Sequence, residues 1–407
     1  MIKHLRTAMA ALIVSALMAA SSRAQNVETL ALAGGTVYVS PNAAPLRNGI
    51  VVMSDGMITA VGAGSDVQVP NDARIIDCTG KTIVAGFWNS HVHFTEAAWS
   101  NAASAPAASL EKHMQDMLTR WGFTTVWDLG SDPRDSLPLR RRVDSGEVPG
   151  PRILLAGDIF PKGGHPVYLP PEMQLPEAAT PDEAAQMVRG FLDLGLDGIK
   201  LFTGAYMGSR PVVNMNAAIV TAATDVAHDK GKPVFAHPQN KAGVDAVVEG
   251  KVDILAHTVP PEPGYTPGQL ARFKSQGIAL IPTLGLWTTV VPDQATASYL
   301  VQSGVNQLKA FAANGGVVLF GTDVGFAKLY DTSSELEFMG RALSVSEVLA
   351  SLTTNPAAYF NAARKGRVER GFDADVVVLD DDPAGDVRNL AKVAYTIREG
   401  KVIYQKP

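Results

Sequence analysis

The chain has 407 residues, 46% hydrophobic and 18% charged, with a formal net charge of −5 and one cysteine, Cys78. This length and apolar share can bury a large core, and one cysteine excludes an internal disulfide framework. A mildly acidic balance without Lys/Arg runs excludes nucleic acid as a natural partner.

The first residues read as a targeting segment. Lys3 and Arg6 precede an apolar run over 8–20, too short to span a bilayer that needs about 20 residues. Ser22-Arg23-Ala24 then places small residues at the −3 and −1 positions of a cleavage site. Residues 1–24 are therefore expected to be a secretory signal peptide, a retained anchor being the alternative, and the mature chain to be exported, periplasmic or secreted. From 25 to 83 the text is strand-like, with β runs at 36–39, 49–53, 57–61 and 74–78. Ser54-Asp55-Gly56 is a hairpin turn, and Cys78 falls in an apolar strand pattern as a small core residue.

After Lys81 short apolar strands alternate with helical stretches such as 182–194 and 215–228. Strands are predicted at 82–87, 124–127, 153–156, 198–202, 233–236, 254–256, 278–282 and 317–320. Eight such units predict a (β/α)8 TIM-type barrel over 84–365, although alternation alone also suits an open doubly wound sheet. Strand text returns at 374–379, 393–397 and 402–404. The two ends, 25–83 plus 366–407, are expected to build one composite β-sandwich.

The polar residues at the strand ends favour the barrel. Strand one runs into His91-Val92-His93, and residues i and i+2 of a strand point the same way. Strand four ends at Lys200, strand five at His237, strand six at His257 and strand eight at Asp323. All lie at the C-terminal strand ends, the face where barrel enzymes carry their sites. Four neutral imidazoles and a carboxylate suit a divalent metal with N/O ligands. A single strand-end histidine is more often a hydrogen-bonded packing residue. Agreement of separate strand ends is what argues for a site. Asp128, ending strand two, either orients a ligand or caps a turn. His113 and His228 lie in helical text and read as surface residues, and His4 belongs to the leader.

On these residues the chain resembles the amidohydrolase superfamily, in its imidazolonepropionase-like and prolidase-like branch. The motifs are Ala85-Gly86-Phe87-Trp88-Asn89-Ser90-His91-Val92-His93, Gly321-Thr322-Asp323, Asn355-Pro356-Ala357 and the closing run Gly371-Phe372-Asp373-Ala374-Asp375-Val376-Val377-Val378. The resemblance spans essentially all of the mature chain. It implies two divalent metal ions, zinc by default with manganese or cobalt as alternatives. His91, His93 and Asp323 would bind the more buried ion, and His237 and His257 the more exposed one. Lys200 would bridge them after carboxylation by CO2, since a plain ammonium has no lone pair to offer; an ion-paired barrel lysine is the other reading. The implied chemistry is attack of a metal-bridging hydroxide on a carbonyl, with Asp323 taking the proton and returning it to the leaving nitrogen.

The expected substrate is a small molecule or dipeptide with a C–N bond: an amide, an N-acyl amino acid or an Xaa-Pro-like peptide. Gly163-Gly164-His165 follows strand three, where this branch often carries Gly-Gly-His, so His165 either donates to the substrate or packs its loop. Tyr206 and Arg210 follow strand four, and Arg210 either clamps a carboxylate or is a solvated surface residue. The rivals are a mononuclear aminohydrolase and a lactonase on the same scaffold. The deaminase type usually carries a glutamate near the strand-five histidine, where this chain has Pro238-Gln239-Asn240. A non-catalytic barrel would have lost ligands, and none is missing. No stable membrane span is expected, and oligomeric state is not legible.

Overall fold

The computed structural model describes residues 28–259, 262 and 264–407. The expected signal peptide lies outside them. Within them the alternating β text sorts into two large sheets.

The first sheet takes strands from both ends of the chain. Its order is Lys401–Gln405, Val393–Arg398, Val376–Leu379, Thr82–Ala85, Leu30–Val37, Leu46–Ser54, Met57–Ala63, with Arg74–Asp77 also pairing with Leu30–Val37. The composite block expected from the two termini is thus one continuous mixed sheet. Its hairpins turn at Asp55-Gly56, with φ 51° and 72°, and at Glu399-Gly400, with φ 50° and 76°. Two successive positive φ values are what a two-residue turn needs to follow the strand twist. Leu32, Val51, Met53, Ile83, Val376 and Val378 form its own core. Cys78 is fully buried there, and burial pushes its thiol up to about 12, so it stays protonated and inert.

The second sheet is the barrel wall. Seven parallel strands run in sequence order: Phe87–Val92, Phe123–Leu129, Arg152–Pro161, Gly198–Leu201, Val234–Ala236, Ile254–Leu255 and Ala279–Leu280. The eighth strand expected at 317–320 is present as single pairings. Val318 bridges Leu280, Leu319 N–H donates to Leu280 O at 2.9 Å, and Ser90 N–H donates to Phe320 O at 2.7 Å, which closes the ring onto the first strand. Crossover helices pack outside. Pro181–Asp193, for example, starts with a capping box between Thr180 and Glu183 and with Pro at its first position.

One boundary differs from expectation. Residues 82–85 belong to the terminal sheet, and the first barrel strand starts at Phe87. The chain changes sheets at Gly86, whose N–H donates to Asp375 O while Phe87 N–H donates to Gly122 O. A Cβ at Gly86 would lie 2.3 Å from Thr124 Oγ1 and 3.0 Å from Asp375 Cβ, so only glycine fits the crossing. The segment reads as a barrel strand because both its faces are apolar. Val84 packs into the barrel core, while Ile83 and Ala85 pack into the terminal sheet's core. Among the described residues no helix is long and apolar enough to cross a membrane.

Candidate metal centre

The first barrel strand delivers His91 in its last turn of pleat and His93 just beyond its end. Asn89, two residues earlier, holds the segment in place. Its Oδ1 accepts from His91 N–H and Thr322 N–H, both at 3.2 Å, and its Nδ2 donates to Thr322 Oγ1 at 2.8 Å. Asp323 sits at φ 60°, a left-handed conformation unusual outside glycine, and its N–H donates to His91 O at 2.9 Å. Behind it Gly325, at φ 98°, lies so close to the first strand that a Cβ would be 1.7 Å from His93 O. These contacts bring two distant stretches of sequence to one point.

There Asp323 Oδ1 is 3.1 Å from His91 Nε2 and 2.9 Å from His93 Nε2, and the two nitrogens are 3.2 Å apart. Ligand atoms about 2.1 Å from a shared ion at about 90–110° stand roughly 3.0–3.4 Å apart. The triangle therefore has the dimensions of a divalent-cation site. His257, with Nε2 3.9 Å from Asp323 Oδ2, joins His91 and Asp323 in a buried group able to hold metal. His257 Nδ1 faces Thr283 Oγ1 at 2.5 Å, which frees Nε2 as the ligand atom. His237 follows, its ring 4.7 Å from that of His257. Its Nε2 faces Gln239 Oε1 at 2.9 Å; since the amide oxygen only accepts, Nε2 carries the proton and Nδ1 the lone pair.

Burial sets the protonation states. Desolvation, then the nearby Lys200, pushes His91 down to about 3 and His237 down to about 4; His257 is also held well below the usual imidazole range by burial. All three are neutral at physiological pH, as metal ligands must be. For Asp323 burial works against ionisation, but His91 and His93 outweigh it and hold the carboxyl well below its usual range. Lys200 is 1% exposed and, among the described residues, without an ion pair or side-chain hydrogen bond, its Nζ 5.7 Å from the Phe202 ring. Burial brings its amine down to about 8, against the opposing pull of Asp323 and Asp158. Among the described residues Lys200 forms no ion pair, although the charges of Asp323 and Asp158 act on it.

A model of the amidohydrolase family matches residues 82–403. The chain belongs to that family. Among curated relatives it is 22% identical to an imidazolonepropionase of Clostridium tetani, covering 89% of this chain and 92% of that one. It is 23% identical to an ochratoxinase of Aspergillus niger, covering 84% and 80%. A solved candidate prolidase from Bifidobacterium longum superposes with a TM-score of 0.79 at 28% identity, covering 93% of this chain and 95% of that one. The amidohydrolase assignment and its metal-dependent hydrolase character thus rest on sequence and fold together.

The candidate substrate contacts fare differently. His165 turns both ring nitrogens to its own loop, 3.2 Å from Pro166 O and 3.2 Å from Met173 O, which is the loop-packing arrangement. Tyr206 is exposed, its backbone O accepting from Val167 N–H at 3.1 Å. Arg210 is exposed and forms no ion pair among the described residues. His113 is not a solvated helix residue. Its Nε2 lies 2.8 Å from Glu96 Oε2, which also accepts from Tyr330 OH at 2.5 Å, and its ring packs 4.6 Å from Trp99. Asp128 is buried and accepts from Ser131 OH at 2.6 Å; Ser131 Oγ in turn accepts from Phe94 N–H at 2.7 Å, fixing the backbone just after His93. Asp158, opposite Lys200 in the strand register, was not singled out from sequence. A carboxylate inside the apolar run Ile153 to Phe160 is the signal that could have found it.

Proposed function

We propose that this chain is a binuclear metal hydrolase cleaving the C–N bond of an amide, N-acyl amino acid or small peptide. The observation that carries the reading is the convergence of His91, His93 and Asp323 within 3.2 Å, beside a buried Lys200 that forms no ion pair among the described residues. His91, His93 and Asp323 would hold one ion, His237 and His257 the other, and carboxylated Lys200 would stand between them. An amine at about 8 has an appreciable neutral fraction near pH 7, and only the neutral amine can attack CO2, losing a proton to leave an anionic carbamate. Divalent ions bound here supply Lewis acidity, polarising a carbonyl and bringing the pKa of water toward neutrality. Asp323, held ionised, would take the water's proton and return it to the departing nitrogen, without which an amine leaves poorly. The amide Gln239 occupies the place where a deaminase glutamate would be looked for, which favours the hydrolase over the aminohydrolase.

The three relatives carry three different substrate names, so likeness leaves the substrate to be found by assay. Metal content should be counted on reconstituted protein beside a screen of dipeptides, N-acyl amino acids and lactones, with a metal-free control. We expect two ions per chain and C–N hydrolysis. Asp323→Asn should then lose about 10²–10⁴-fold in kcat, the usual worth of a general acid–base group. Unchanged activity in that variant, or one ion per chain with deamination, refutes the reading.

A further inference from the structure

The mouth of the barrel is lined unevenly. Nine large apolar side chains are exposed among the described residues, and five of them, Val167, Tyr168, Met173, Tyr206 and Phe326, lie in the loops after strands three, four and eight. Phe326 comes three residues after Asp323, and Tyr206 six after Lys200. The loops touch. Tyr168 and Phe326 meet edge to face with ring centroids 5.1 Å apart, and Val167 N–H donates to Tyr206 O at 3.1 Å.

Two sets of contacts place this lip beside the candidate metal centre. Gly325, whose missing side chain lets the turn press on His93 O, sets Phe326 in place, and Thr95 Oγ1 donates to Gly325 O at 2.8 Å. On the other side the His165 ring lies 3.2 Å from both Pro166 O and Met173 O, so whichever nitrogen carries the proton donates within the segment that presents Val167 and Tyr168. Tyr168 is 39% exposed as a residue, but its phenol is largely desolvated, and this, with the charges of Asp323 and Asp158, raises its pKa above the usual phenol range. An apolar patch of this kind on a soluble surface marks contact with something, and here it is continuous with the site of chemistry.

We propose that Tyr168 and Phe326, with Val167, Met173 and Tyr206, form a side-chain subsite, and that the substrate's amide carries a bulky apolar group, aromatic by preference. The proposal rests on the C–N hydrolase reading for the reaction, and on the lip alone for the selectivity. An aromatic ring can stack edge-on against Tyr168 and Phe326, while a charged side chain would lose hydration there without a partner.

The test uses the full metal-reconstituted chain on matched N-acetyl amino acids and Xaa-Pro dipeptides with Phe, Ala or Asp side chains. We expect kcat/KM to favour Phe over Ala by about 10–100-fold, as an apolar pocket discriminates, with Asp poorest. Phe326→Ala and Tyr168→Ala, checked for metal content and Tm, should each shrink that ratio, and the double variant should abolish it. A wild-type ratio near one, or a ratio surviving the double variant, overturns the subsite. So does a wild-type dimer that falls apart in Phe326→Ala with selectivity intact, which would make the lip a subunit contact. If no C–N substrate turns over, the hydrolase reading fails by itself. The lip is then read by equilibrium binding of N-acetyl-phenylalanine against N-acetyl-alanine: tighter binding lost in the variants supports it, and equal binding overturns it.

Discussion

Two residues at the metal centre hold backbone conformations that their side chains resist. Asp323 sits at φ 60° and Thr283 at φ 45°, the latter a β-branched residue in the left-handed region. Each is placed by a neighbour, Asp323 by the bond from its N–H to His91 O and Thr283 by the turn that follows it. In return Thr283 aims its hydroxyl at His257 Nδ1, leaving Nε2 to present a lone pair, and Asp323 sets its Oδ1 beside the Nε2 atoms of His91 and His93. Strain kept at such positions is consistent with a site that must be pre-organised. Thr283→Val keeps the branching and removes only the hydroxyl facing His257 Nδ1. Loss of an orienting partner typically weakens metal affinity by about 10–100-fold. Competition with a chelator should show that drop, with the fold intact by circular dichroism; equal affinity would mean that Thr283 does not orient His257.

At the scale of elements, the turn carrying Thr283 is tied down by helix Ser333–Gly340. Glu335, 2% exposed, accepts from Gly285 N–H at 2.6 Å through Oε2, while its Oε1 is buried without a partner. Burial pushes this carboxyl up to about 7, against the stabilising N–H groups of Gly285 and Leu284. A carboxyl whose pKa is raised on folding binds its proton more tightly in the folded state. Its favourable contribution is therefore complete below about pH 4.5 and is lost as the pH rises through about 7. The shift corresponds to about 3 kcal/mol at most. Glu335→Gln keeps the acceptor for Gly285 and has no proton to lose. Thermal melts of both proteins from pH 5 to pH 8 should show a fall in wild-type Tm that is smaller in the variant. Parallel curves would place the ionisation of Glu335 elsewhere.

Across the whole molecule, the proposed ligands lie between His91 and Asp323 and come from the first, fourth, fifth and sixth strands and the segment after the eighth. Two ions held as proposed would together join nearly the full circumference of the barrel, and the one on His91, His93 and Asp323 would span the seam where single bridges pair Val318 with Leu280. Anything that binds the folded state alone stabilises it by mass action, by about 2.7 kcal/mol at a hundred times its Kd. Chelation should lower Tm, and zinc should restore it in a concentration-dependent way, more than magnesium, because the donors are imidazole-rich. A melting curve indifferent to both chelator and zinc would argue against a metal site at these residues.

Much of this architecture is written in local pattern. Strand alternation, the Asp55-Gly56 turn and the i, i+2 spacing of His91 and His93 are properties of a few adjacent residues, so they survive in the sequence as period and composition. The candidate ligand residues stand out for the same reason, one strand end at a time. Other features exist only through space. Gly86 changes sheets because Thr124 and Asp375 leave no room for a side chain. Residues 82–85 look like a barrel strand until a second core is seen on their other face. His113 reads as a surface residue until Glu96 and Tyr330 arrive from other loops. The meeting of Tyr168 with Phe326 joins residues 158 positions apart, and no periodicity encodes such a contact. Sequence alone determined which groups stand ready at each strand end; only packing decided which of them meet, because distance in space depends on every turn between them.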